Sequence, residues 1–78
     1  MMGKFYIENA MAFFNVSKIK SFADLLGVSV DYLYSVTSEK KPFTKGLFLR
    51  LLICADITPS QMMLELGMTE DNFNELSQ

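Results

Sequence analysis

The twenty residues 17–36, SKIKSFADLLGVSVDYLYSV, constrain this chain more than any other stretch. Ile19, Phe22, Ala23 and Leu26 fall at i, i+3, i+4 and i+7, so one stripe of a helix is apolar. Gly27 follows, and glycine takes up the left-handed conformation that ends a helix at little steric cost. Ser29 is placed to cap a second helix by accepting a hydrogen bond from a free backbone N–H. Val28 just before that cap and Leu33 four residues inside it form a hydrophobic staple. The stretch is expected to form two short helices joined by a tight turn, the first capped by Ser17, the second running from about Val30 to Thr37.

The remaining segments read as helix too. Ile7, Ala10, Met11 and Phe14 recur at helical spacing within 5–14, which predicts a supporting helix 1. Pro42 breaks the pattern after SEKK. Helix 4 is expected after Thr44, with Phe43 and Phe48 as its staple and Phe48, Leu51, Leu52 and Ala55 as its buried stripe. Leu47, Leu49 and Ile53 are left over for a second face. Thr58 and Gln61 announce a capping box with Pro59 in the favoured first position, so helix 5 starts there and ends at Gly67. Thr69 is expected to cap a last short helix, with fraying after Leu76. FADLLGVSVDYL at 22–33 is echoed by MMLELGMTEDNF at 62–73. The echo reads as one helix–glycine–cap solution used twice. The expectation is one all-α domain over 1–78, with five or six helices and no strands.

Residue types exclude most chemistry. There is no histidine, which removes imidazole acid–base catalysis and imidazole metal ligation. The single cysteine, Cys54, precludes an internal disulfide and a thiolate zinc site. It lies in an apolar run and is expected to be a buried thiol. The four glycines are isolated, so no phosphate-cradling loop exists. No cofactor, no metal and no enzymatic activity is expected. The longest apolar run, GLFLRLLICA, is broken by Arg50, so no membrane span is expected and a cytoplasmic protein is read.

Charge is distributed unevenly. All seven basic residues lie at or before Arg50 with four acidic ones, giving that part +3, while the rest carries five acidic residues and no basic one, giving −5. Lys18 and Lys20 open helix 2, and Lys40, Lys41 and Lys45 follow helix 3. An ordinary solvated lysine face is one reading of this pattern. The other is contact with phosphates on both flanks of helix 3.

Two helices around a short glycine-containing turn have the shape of a helix-turn-helix. FADLLGVS followed by a helix resembles the Cro/repressor-type (XRE) helix-turn-helix family, with Ala23 as the small residue that lets the helices approach. The run from FADLLGVS through KKPFTKGLFLRLL to SQMMLEL is also similar, more weakly, to the N-terminal helix-turn-helix domain of some phage anti-CRISPR proteins. The chain departs from the first family at Ile19, where many members carry a polar residue, and at Thr37-Ser38-Glu39, where many carry E-x-G.

These resemblances imply a Cro/repressor-like domain that binds double-stranded DNA and regulates transcription as a homodimer. Helix 3 would enter the major groove, with Val30, Tyr32 and Ser35 nearest the bases and Lys18, Lys20, Lys40, Lys41 and Lys45 on phosphates. Tyr32 and Tyr34 have an alternative, partial burial against helix 1 or helix 4. The surplus apolar residues Leu49, Ile53, Met62, Met63, Met68 and Phe73 are expected at the dimer interface. The alternative of another class is a protein-binding inhibitor or adaptor on the same scaffold, such as a phage-encoded anti-CRISPR protein.

Overall fold

A computed structural model describes residues 2–78 as six helices: α1 Gly3–Phe13, α2 Ile19–Leu26, α3 Val30–Thr37, α4 Lys45–Ala55, α5 Pro59–Leu66 and α6 Glu70–Asn74. No strand forms among the described residues, and one isolated parallel bridge joins Thr44 to Ser77. α1 packs chiefly on α5 and α3, α2 packs on α3 and α4, and α4 also meets α5. No single helix among the described residues is long and apolar enough to cross a membrane.

The helix ends follow from short-range chemistry. Ser29, Thr44, Thr58 and Thr69 each accept a hydrogen bond from the backbone N–H three residues on, at 3.1, 3.1, 3.2 and 3.1 Å. Thr58 with Gln61 closes a full capping box, and Thr69 with Asn72 closes another. Gly27 and Gly67 are both left-handed, each at φ 72°. Beyond each glycine the next N–H bonds five residues back, Val28 to Ala23 and Met68 to Met63. The echo between the two halves is thus a repeated helix ending.

Three helix boundaries and ends differ from expectation. α1 begins at Gly3 and stops at Phe13, where Asn15, at φ 57°, reverses the chain. Asparagine tolerates that conformation better than most residues. Ser17 does not cap α2, because the helix starts one residue later and Lys18 holds the cap position with no side-chain bond. The C-terminus does not fray at Ser77, whose carbonyl accepts from the Lys45 N–H at 2.9 Å.

The core is apolar throughout. Phe22, Phe48, Ile7, Leu33, Leu51, Met62, Leu66 and Val36 are fully buried. Ala23 on α2 is fully buried, so a larger side chain there would overpack the core. On α4 the buried stripe is rotated from the expected one. Leu47 joins Phe48 and Leu51 inside, while Leu52 and Ala55 sit at the edge. Leu49 and Ile53 face solvent, at 56% and 80% exposed. Met62 and Met68, expected at a subunit interface, fill the chain's own core instead. Methionine's flexible side chain suits irregular positions in a core. Met63 and Phe73 are half-buried against the core. Cys54 is exposed, not buried. It lies two turns beyond Leu47, where its neighbour is the outer end of α2, and its Sγ donates to the Leu25 carbonyl at 3.4 Å.

Candidate nucleic-acid interface

The α2–turn–α3 unit is braced from two sides. α3 is anchored by Leu33 and Val36, both fully buried against α1 and α2. Arg50 reaches across from α4, and its Nη1 donates to the Leu26 carbonyl at 3.0 Å. The end of α2 is therefore satisfied by a cation, which also suits the negative end of the helix dipole. Arg50 keeps its charge but is held at the turn by this bond.

With Leu33 and Val36 inside, the opposite side of α3 faces outward. Asp31, Tyr34, Ser35 and Ser38 fall on it at i, i+3, i+4 and i+7. Tyr34 is 53% exposed. These four residues, with Thr37, line a shallow groove that Lys4 and Lys40 also border. All three expected base contacts are half-buried: Ser35 lies on this outward stripe, whereas Val30 and Tyr32 pack against the core. The Tyr32 ring has the Lys41 ammonium 5.7 Å from its centroid, a cation–π arrangement.

The lysines divide into two groups. Lys18, Lys20 and Lys40 are exposed, and Lys41 is exposed above the Tyr32 ring. Lys45 is half-buried and turned the other way, its ammonium 5.5 Å from the Phe73 ring in the C-terminal segment. Glu39, at φ 66°, folds toward α1, where its Oε1 accepts from the Lys4 N–H at 3.3 Å. A carboxylate at a helix N-terminus offsets the dipole there. Glu39 is thereby tied to the start of α1, while Asp31 remains on the groove beside Lys4 and Lys40.

Lys4 and Tyr34 were not among the expected contacts. Nothing local in the N-terminal residues says that the start of α1 abuts the end of α3. The signal for Tyr34 was present in the spacing, since 31, 34, 35 and 38 are the complement of 33 and 36. On the far side of the loop after α3, Tyr6, Pro42, Phe43, Asn72 and Glu75 line a cavity of about 270 Å³. Burial, and then Glu75, hold the Tyr6 phenol above its ordinary value near 10, so it is neutral at physiological pH. No group of acidic, cysteine or histidine side chains among the described residues is placed to hold a metal ion.

No family model matches the chain, and no curated protein or solved structure matches it either.

Proposed function

We propose that this chain is a Cro/repressor-like helix-turn-helix domain that binds double-stranded DNA as a homodimer and regulates transcription. The observation that carries the reading is the outward stripe of α3. It is polar, it shares a groove with Lys4 and Lys40, and it follows a helix opened by exposed Lys18 and Lys20. In a helix-turn-helix complex the second helix lies in the major groove, and flanking cations hold the register through phosphates. Positive charge is concentrated on this half of the chain, and the acidic half holds α5 and α6.

The homodimer rests on Leu49 and Ile53 of α4 and Leu64 of α5, all more than half exposed. Large apolar side chains that the monomer leaves in water suit an interface, and two-fold dimers are the commonest. The same residues also suit a different protein, which is what a protein-binding inhibitor on this scaffold would use. DNA binding separates the two readings. Full-length protein titrated onto a labelled duplex at low salt is expected to bind. Lys18→Ala with Lys40→Ala is expected to weaken that binding on the order of tenfold, alike for every duplex sequence. A protein that binds no duplex at low salt is not this regulator.

A further inference from the structure

The outward stripe of α3 begins with a negative charge. Asp31 is the second residue of the helix and is exposed, with Tyr34, Ser35 and Ser38 behind it and Lys4 and Lys40 bordering the same groove. Its charge suits the positive end of α3, but the side-chain cap there is Ser29, which accepts from the Tyr32 N–H at 3.1 Å. Resting on the DNA-binding reading above, we propose that Asp31 sets the base preference of this domain. It selects a base that offers an exocyclic amino group, cytosine first, at the step facing the first turn of α3.

The argument is one of donors and acceptors. An ionised carboxylate only accepts hydrogen bonds. In the major groove guanine shows two acceptors, and thymine shows an acceptor and a methyl group. Donors are found only on the amino groups of cytosine and adenine. The adenine amino group stands beside the N7 acceptor, which repels a carboxylate, whereas the cytosine amino group stands beside a C–H edge. Phosphates repel Asp31 as well, while they attract Lys4 and Lys40 in the same groove. The lysines therefore take the backbone, and the carboxylate is left to the base edges. The residues at the start of a recognition helix are those that reach base edges, and Asp31 is one of them.

Selection of duplexes from a randomised pool by the full chain and two variants tests this. The wild type is expected to enrich cytosine at one position of each half-site. Asp31→Ala is expected to level that position, about a tenfold loss of discrimination, and to leave preferences elsewhere unchanged. Asp31→Asn is expected to move the preference to adenine, whose N6 and N7 pair with a carboxamide. Circular dichroism of both variants checks that the helices persist. A flat wild-type profile, guanine at the affected position, or preferences that neither variant alters would overturn the role of Asp31 and leave DNA binding standing. Failure of the wild type to retain any duplex would overturn both.

Discussion

Raising salt from 50 to 200 mM is expected to weaken duplex binding about 10⁴-fold. Each phosphate contact releases condensed counterions, so log affinity falls against log salt with a slope near −0.9 per contact. The exposed Lys4, Lys18, Lys20 and Lys40 give a two-fold dimer about eight such contacts, hence a slope of about −7. A monomer would show about four contacts and lose only about 150-fold over the same range. The slope thus counts protomers as well as phosphates. Lys45→Ala is expected to leave it unchanged, because that ammonium lies over the Phe73 ring. Binding titrations at several salt concentrations measure it. A slope near zero would contradict phosphate contact altogether.

Phe22→Ala is expected to remove a large share of the stability of the fold. Phe22 is fully buried and its ring centroid is 5.9 Å from that of Phe14, at the end of α1. Truncating a buried phenylalanine costs about 3–5 kcal/mol, from lost transfer energy and the cavity left behind. A chain of 78 residues has a total of about 4–12 kcal/mol to lose, taking roughly 0.05–0.15 kcal/mol per residue. Urea denaturation followed by circular dichroism would read the loss. Ile53→Asp is the contrast: at 80% exposed, that side chain leaves the helices intact when replaced. If the dimer forms through α4, sedimentation shows the same variant as a monomer. Equal stability of Phe22→Ala and the wild type would mean that α2 is not packed as described.

What was legible in the residues was what depends on near neighbours. The caps at Ser29, Thr44, Thr58 and Thr69 need only a hydroxyl and an N–H three positions away. The left-handed ends at Gly27 and Gly67 need only the absence of a Cβ. Which side of a helix is buried depends on distant packing, and there the residues were ambiguous. α4 is apolar almost all round, so its stripe was legible only to within a rotation, and Leu47 proved to be inside. Met62 and Met68 carry the same apolar signal whether they fill a core or an interface. Cys54 sits in an apolar run, yet the edge of the core passes it by. At the candidate site, the exposure of the lysines at 18, 20, 40 and 41 was legible, since a lone ammonium is costly to bury. The direction of Lys45 and the arrival of Lys4 beside α3 are products of the tertiary fold.

The central claim is that the outward side of α3 meets duplex DNA. Amide chemical shifts of labelled protein, followed while a duplex is titrated in at low salt, test it most directly. The account predicts that shifts concentrate at Asp31, Tyr34, Ser35 and Ser38, with Lys4, Lys18, Lys20 and Lys40 moving in step and α6 still. Shifts confined to Leu49, Ile53 and Leu64, or no shifts at all, would contradict it.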